Sequence, residues 1–367
     1  MTRFGRFPVV SLALTLIGLW AAGCNSSRKQ PAENNGNGNI IGAGSTFINP
    51  IMSHWIADFQ TGHPGGVRIN YQSIGSGGGI EQLKKGLVDF GASDAALGDQ
   101  QLQSMPALLQ IAESGGPVCI TYNLPGFNAP LKLSSATLAG IYLGRIQSWQ
   151  DGAIKKDNAG VNLPNHPMLV AHRSDGSGTT NIFTMYLAKV SPDWASKVGK
   201  GIAVSWPAGL GGKGSEGVTG VVKQTPGAIG YVELSYAKAN NLACALIQNA
   251  AGNWTEPSVG AATAAIEAFQ AELAKDVRTP VVDPPASAKE AYPITGLTFL
   301  LLPKRAKDDA RGQIVKQFAE YIITQGQNSA EGLQYARLPQ SLAEQDQKLL
   351  AELPSGGQPT SSDQPGR

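Results

Sequence analysis

The chain has 367 residues, of which 42% are hydrophobic, 15% charged and 7% aromatic. This length suggests two domains with a substantial core, and the composition is too apolar for a disordered chain. Lysine and arginine total 29 against 27 acidic residues, which gives a net charge of +2 without a polybasic run. The charge balance therefore excludes the extended positive field that gathers nucleic acid.

The first 23 residues are typical of a bacterial signal peptide. Arg3 and Arg6 precede an apolar run over 9–20 that is too short to cross a bilayer. The small residues at 21–23 then lead into Cys24, as in a bacterial lipobox, where the cysteine is lipidated and becomes the mature N-terminus. We predict a lipoprotein signal peptide over 1–23 and a lipid anchor on Cys24. Ordinary secretion into the periplasm is the alternative.

Two further segments are predicted to be unstructured, because they are polar and lack apolar periodicity. Residues 24–38 form a flexible tether and residues 354–367 a disordered tail. Between them, Cys119 and Cys244 each lie in an apolar stretch. An exported protein permits a disulfide, but two buried small hydrophobic residues are the simpler interpretation, and pairing stays open. No cysteine or histidine spacing predicts a metal site.

The folded region alternates helices with strands in its apolar pattern. Spacing typical of helices covers 48–59, 80–87, 183–190 and 314–321. Strands are predicted over 67–71, 88–90, 117–122, 168–171, 229–232 and 298–302. This alternation predicts an α/β fold with mixed, largely parallel sheets.

Three loops share an unusual composition of glycine and hydroxyl residues. They are GAGSTF at 42–47, GSGGG at 75–79 and DGSGTT at 175–180, and each precedes a predicted helix. Any one of them could be only a helix cap. If all three converge, their N–H and O–H donors form a cavity suited to a small tetrahedral oxyanion.

Two charged residues lie beside these loops. Arg173 follows a predicted strand, and Asp175 can hold its guanidinium in place. Asp94 ends the segment VDFGASD at 88–94, where ligand-facing residues of open α/β sheets lie. A carboxylate there repels a fully ionised anion but accepts a hydrogen bond from a protonated one, so Asp94 favours phosphate over sulfate or molybdate. A surface ion pair and a solvated aspartate are the alternative interpretations.

Four segments, taken in order, closely resemble the periplasmic phosphate-binding proteins of bacterial phosphate-specific ABC transporters. They are GAGSTF, YQSIGSGGG at 71–79, VDFGASD, and RSDGSGT at 173–179. GIYLG at 140–144, Trp149, WPAGLGGKGSEG at 206–217 and PGAIGYVE at 226–233 extend the resemblance over about 40–350. The resemblance implies a two-lobed clamshell with a mixed, largely parallel sheet in each lobe. Residues 39–118 and 295–353 would form one lobe and 119–294 the other.

The resemblance also implies the site and the partners. Asp175 would be the partner of Arg173, and Gly77 stands where the family often has a second serine. Inner-membrane permease subunits are the expected protein partner, and no cofactor, metal or nucleic acid is expected. Such a receptor would work as a monomer on the periplasmic face of the cell membrane. The implied phosphate ligands are Thr46, Phe47, Ser76, Asp94, Arg173, Ser177, Gly178 and Thr179.

An exported phosphoesterase with a similar anion cradle is the alternative function. The sequence lacks a Gly-x-Ser-x-Gly elbow and a His-Glu-x-x-His motif, and Lys213 is followed by Gly214 rather than by the serine or threonine of a phosphate loop. His172 adjoins Arg173, but neighbouring strand residues point to opposite faces, so it should face away from the anion. The sequence therefore favours a binding protein over an enzyme.

Overall fold

The structure is a computed structural model that describes residues 39–63, 66–105 and 107–354. The predicted signal peptide at 1–23, the tether at 24–38 with Cys24, and the tail beyond Pro354 lie outside the described residues. Among the helices of the described segments, none combines the length and the apolar composition that a membrane span requires.

Helices and strands alternate along most of the chain, which confirms the predicted mixed α/β fold. The strands are β1 (Asn39–Gly44), β2 (Arg68–Ser73), β3 (Phe90–Ser93), β4 (Leu108–Tyr122), β5 (Lys132–Leu133), β6 (Leu169–Arg173), β7 (Leu210–Gly212), β8 (Ala228–Glu233), β9 (Ala243–Cys244), β10 (Leu246–Gln248), β11 (Trp254–Thr255) and β12 (Thr295–Pro303). The α-helices are α1 (Asn49–Gly62), α2 (Ser76–Lys84), α3 (Asp99–Ser104), α4 (Ser135–Tyr142), α5 (Gly152–Asp157), α6 (Gly178–Val190), α7 (Pro192–Lys197), α8 (Gly214–Gln224), α9 (Leu234–Ala239), α10 (Val259–Glu267), α11 (Gln270–Leu273), α12 (Asp309–Ile323) and α13 (Gln340–Ala351). Two 3-10 helices cover Gln325–Ser329 and Glu331–Leu333.

The main sheet has the strand order β2-β1-β3-β12-β4-β8-β6-β7, and β9 also pairs with β4. Parallel pairing joins β1 to β2 and β3, and joins β6 to β7 and β8. Around β4 and β12 the pairing is antiparallel, so the sheet is less parallel than the helix-strand alternation suggests. A small second sheet has the order β11-β10-β5.

Strand β4 runs through the middle of this sheet and changes its partner along its length. Residues 108–117 pair with β12, and residues 118–122 pair with β8. Every residue after Leu108 is buried, as expected for a strand with neighbours on both edges. The sequence predicted only 117–122, because Gln110, Glu113 and two glycines interrupt the apolar run before Pro117.

Local sequence explains where the helices near the site begin and end. Helix α6 starts at Gly178 because the Ser177 hydroxyl accepts a hydrogen bond from the Thr180 amide at 3.0 Å. Helix α2 ends at Lys84, and Gly86 then adopts a φ of 65°, which favours glycine. The prediction of a helix to residue 87 was therefore wrong at its end, and Leu87 is 58% exposed.

The core contains large aromatic residues that are held by hydrogen bonds as well as by packing. Trp55 on α1 donates from Nε1 to the Gly326 carbonyl at 2.8 Å, and Trp149 donates to the Gly227 carbonyl at 2.9 Å. Cys119 is buried among the apolar residues of β6, α8 and β8. Cys119 and Cys244 are free in the structure.

Candidate functional site

The site forms where three strands of the main sheet end and two helices begin; β1 and β3 run parallel to each other, and β6 runs in the opposite direction. Strand β1 leads into residues 45–47, β3 leads into Asp94, and β6 ends at Arg173. Helices α2 and α6 begin nearby, at Ser76 and Gly178. The carboxyl ends of strands and the unpaired amides of helix starts thus converge, which is the usual place for a ligand in an open α/β sheet.

Asp94 lies at the centre of this cluster and is 3% exposed. Its Oδ1 accepts a short hydrogen bond from the Ser45 hydroxyl, and its Oδ2 accepts one from the Thr179 hydroxyl at 3.2 Å. Burial raises the pKa of Asp94 to about 6, although the hydroxyl donors and the positive charge of Arg173 act against that rise. Asp94 is therefore an ionised acceptor at neutral pH.

Ser76 joins the starts of α2 and α6. Its hydroxyl oxygen accepts hydrogen bonds from the amides of Gly178, at 3.1 Å, and of Asp94, at 3.2 Å. A Cβ atom on Gly178 would lie 2.5 Å from that hydroxyl, so only glycine permits the close approach. A backbone hydrogen bond of 2.9 Å from the Gly77 amide to the Gly176 carbonyl makes a second connection between the two loops.

Arg173 supplies the positive charge of the site, and its side chain is 2% exposed. Its Nε and Nη2 donate to the two carboxylate oxygens of Asp175 at 2.8 and 2.5 Å. Burial acts to raise the pKa of Asp175, but the hydrogen bonds and charge of Arg173 outweigh it, so the pKa is lowered. The Gly214 amide also donates to Asp175 at 2.9 Å, so this carboxylate is committed to positioning the guanidinium.

Thr46, Phe47 and Ser177 are buried in the same loops, but in the described part of the chain none of them hydrogen-bonds to Asp94. The Thr46 hydroxyl lies 2.8 Å from the Ser215 hydroxyl at the start of α8. The Phe47 amide donates to the Ser45 hydroxyl at 3.0 Å, and its ring packs edge-on against Tyr335. The Ser177 hydroxyl oxygen caps α6, which leaves its proton free to be donated elsewhere.

Several residues of this cluster were absent from the predicted ligand set. Ser45 belongs to the GAGSTF loop, so the pattern of glycine and hydroxyl residues that indicated Thr46 could have indicated Ser45 as well. Tyr236 gave no signal, although its hydroxyl donates to the Thr46 carbonyl at 2.7 Å. Thr298 on β12 also neighbours Asp94, because Phe299 pairs with Ser93 across β12 and β3. Tyr236 is 190 residues from Thr46 in the sequence, and Thr298 is 204 residues from Asp94. These pairs become neighbours only through the fold.

His172 packs against an aromatic side chain, and its facing away from the anion stays a prediction. Its ring stacks on Trp206 with centroids 4.9 Å apart. A cavity of about 330 Å³ is lined by His172 and Trp206 and also by Arg173, Asp175 and Thr180 of the site. Within the described ranges, no group of three or more histidine, cysteine or acidic side chains could hold a metal ion.

Comparison with known proteins shows the family of the chain. Residues 29–325 match the model of the PBP superfamily domain. The chain is 42% identical over 322 residues to the phosphate-binding protein PstS of Xylella fastidiosa, covering 88% of this chain and 87% of that protein. The chain belongs to the PstS family of phosphate-binding proteins.

Other members of the family and its fold are similarly related. PstS of Pasteurella multocida is 42% identical over 321 residues, covering 85% of this chain and 89% of that protein. A putative phosphate ABC transporter substrate-binding protein from Clostridium perfringens, solved with bound phosphate, shares the fold with a TM-score of 0.59 at 18% identity. That match covers 82% of this chain and all of the other.

Proposed function

We propose that the protein binds inorganic phosphate as the receptor of an ABC transporter and is not an enzyme. The observation that carries the proposal is the buried Asp94 carboxylate, which lies among hydroxyl and amide donors and is under the influence of Arg173. An anion there meets many donors and one acceptor. The related proteins of the family are named as phosphate-binding proteins.

The single acceptor explains selectivity. A phosphate that retains a proton can donate it to Asp94, whereas sulfate near neutral pH carries no proton and would face the carboxylate directly. Leaving a buried charge without a partner costs about 3 to 5 kcal/mol, enough to discriminate between two anions of the same shape. The proposed ligands are Thr46, Phe47, Ser76, Asp94, Arg173, Ser177, Gly178 and Thr179, with Asp175 positioning Arg173.

We propose that 39–118 with 295–353, and 119–294, are two lobes that close over the anion. The change of partner along β4 at residue 118 supports this division. Contacts such as Gly178 N to Ser76 Oγ and Thr46 to Ser215 would then belong to the closed conformation. Opening would break them and free their donors for phosphate.

The role in transport requires delivery at the membrane. A monomer anchored by a lipid on Cys24 would hold the receptor on the periplasmic face, near the permease subunits to which it passes phosphate. Replacing Cys24 with serine tests the anchor. The protein should then move from the membrane fraction to the soluble periplasmic fraction, and unchanged membrane association would contradict lipidation at Cys24.

The binding function is tested by titration calorimetry of protein that has been unfolded and refolded to remove carried-over anion. We expect one phosphate per chain with tight binding at pH 7.5 and no measurable heat with sulfate. Equal binding of both anions would reject the selectivity of Asp94. Absence of phosphate binding, or turnover of a phosphomonoester, would reject the proposed function in favour of another ligand or of a phosphoesterase.

A further inference from the structure

Glu113, in the middle of β4, is a fully buried carboxyl group for which the phosphate site described above assigns no role. It is the extra residue of a β-bulge, because Thr298 pairs with Ser114 and Phe299 pairs with Ala112. A bulge redirects a side chain without moving the rest of the strand. The Glu113 side chain is 0% exposed, and its Oε2 atom has no hydrogen-bond partner among the described residues.

Thr298 connects this carboxyl group to the phosphate site. A distance of 2.9 Å joins Thr298 Oγ1 to Glu113 Oε1. Phe299 pairs with Ser93, so the register of β12 and β3 places Thr298 next to Asp94, and the Thr298 hydroxyl acts to lower the pKa of Asp94 against the effect of burial. A hydroxyl has one proton, so Thr298 can donate either to Glu113 or to Asp94 at any moment, and the state of Glu113 decides between them.

We propose, on the basis of the proposed phosphate-binding function, that Glu113 is a positioning residue that limits phosphate capture at alkaline pH. As a neutral acid it donates its own proton to Thr298, which turns the threonine hydroxyl toward Asp94. As a carboxylate it accepts from Thr298 instead and places a second negative charge behind Asp94. The anion is then bound less tightly, because two buried carboxylates repel it rather than one.

The groups around Glu113 support this assignment. Asp94 at the end of β3 and Tyr71 on β2 interact electrostatically with Glu113, and Arg173 interacts with Asp94. Asp346 of α13 also packs on β4, but its Oδ2 accepts from the Ala112 amide at 3.1 Å. Burial raises the pKa of Glu113 to about 8; the Thr298 hydrogen bond lowers it and the charge of Asp94 raises it further. The group is therefore neutral at pH 7 and ionised at pH 9.

The test compares the parent protein with E113Q, which has nearly the same shape and no charge. Phosphate affinity is measured by calorimetry at pH 7 and at pH 9. We expect E113Q to bind within about threefold of the parent at pH 7. At pH 9 E113Q should bind phosphate about tenfold more tightly than the parent does, because one buried charge near the anion is removed. Phosphate itself ionises equally in both experiments, so the ratio between the two proteins isolates Glu113.

D346N is the matched control, since Asp346 is a buried carboxyl that also contacts β4. D346N should either leave phosphate affinity unchanged or change it by the same factor at pH 7 and at pH 9. An affinity loss of equal size at both pH values in E113Q would show a merely structural role and overturn the proposal. An unchanged ratio between E113Q and the parent at both pH values would overturn it as well.

Proton exchange provides a second readout that survives if E113Q does not fold. Bound anion favours the neutral form of Glu113, so the parent should take up a fraction of a proton on binding phosphate at pH 8. Titrations in two buffers of different ionisation enthalpy measure this uptake.

T298V leaves Glu113 in place but removes the hydroxyl between the two carboxyl groups. This variant should bind phosphate less tightly than the parent at pH 7. Failure of the parent to bind phosphate at pH 7 would reject the proposed function, whereas binding without that uptake and without loss in T298V would reject only the role of Glu113.

Discussion

Asp94 and Asp175 are two aspartates within one site, and they differ in burial and in their hydrogen-bond donors. Asp175 accepts two hydrogen bonds from the guanidinium of Arg173, and its pKa is lowered. Asp94 accepts hydrogen bonds from the neutral hydroxyls of Ser45 and Thr179, and its pKa is raised to about 6. Both are ionised at neutral pH, but only one is already neutralised by a cation.

The difference separates two roles for the same side chain. Asp175 pairs with Arg173 and fixes the orientation of the guanidinium. The negative charge of Asp175 is therefore compensated within the protein. Asp94 retains an uncompensated charge that hydroxyl donors stabilise only in part, so it responds to the protonation state of whatever enters the site. Three predictions test this contrast, in order of decreasing effect, and a fourth, smaller one concerns stability.

Removing the cation should have the largest effect. In R173M, Asp175 loses its partner and the anion loses a buried charged donor, so phosphate affinity should fall by more than 100-fold, or about 3 kcal/mol. Calorimetry measures the loss. R145M is the control, because Arg145 also pairs with an aspartate, Asp193, but both side chains are about half exposed. Similar losses in the two variants would contradict a specific role for Arg173.

Neutralising the acceptor should alter selectivity more than total binding. In D94N the side chain can still accept a hydrogen bond, but it no longer repels a fully ionised anion. We expect phosphate affinity to fall by about 2 kcal/mol, or 30-fold, and sulfate binding to become measurable. Competition between the two anions checks this. If D94N excludes sulfate as strongly as the parent does, the charge of Asp94 is not the basis of selectivity.

Lowering the pH should produce part of the same change in the parent protein. Since the pKa of Asp94 is raised to about 6, the carboxylate is present above that value and is lost as the pH falls through it. A protonated Asp94 can donate to sulfate, so the ratio of phosphate to sulfate affinity should fall by about tenfold between pH 7.5 and pH 5. D94N serves as the control, and its ratio should stay nearly constant over this range.

The sequence predicted the parts of this site that lie in continuous loops. Glycine and hydroxyl residues at 42–47, 75–79 and 175–180 marked the helix starts, and strand ends marked Asp94 and Arg173. These signals are local, because backbone freedom and helix capping involve residues within a few positions of each other. Apolar periodicity, which is also local, predicted α1, α2, α6 and α12 and the strands β2, β3, β6, β8 and β12, but not β1 or the buried α4.

Long-range neighbours could not be predicted in this way. Glu113 and Thr298 are 185 residues apart and meet only because β4 and β12 pair across a bulge. The first half of β4 was missed for a related reason. The polar residues of this half of β4 are buried against β12 and the helices. Periodicity in a single sequence, however, predicts that polar residues are exposed. Short strands such as β7 and β9 lacked enough residues to show any period.

The smallest predicted effect concerns stability, at another buried carboxyl group. Glu233 at the end of β8 is fully buried, its Oε2 accepts from the Ser235 amide at 2.7 Å, and burial raises its pKa to about 8. The stability that the neutral acid contributes is complete below the ordinary glutamate pKa and is lost as pH rises through about 8. In phosphate-free buffer, the free energy of unfolding of the parent should therefore fall between pH 7 and pH 9. E233Q should remove about 1 kcal/mol of that fall, as measured by urea denaturation. E331Q is the control, because Glu331 is exposed beside Arg337. It should leave the decrease in the free energy of unfolding between pH 7 and pH 9 unchanged. An equal change of that decrease in E233Q and E331Q would show that burial of Glu233 does not set the pH dependence.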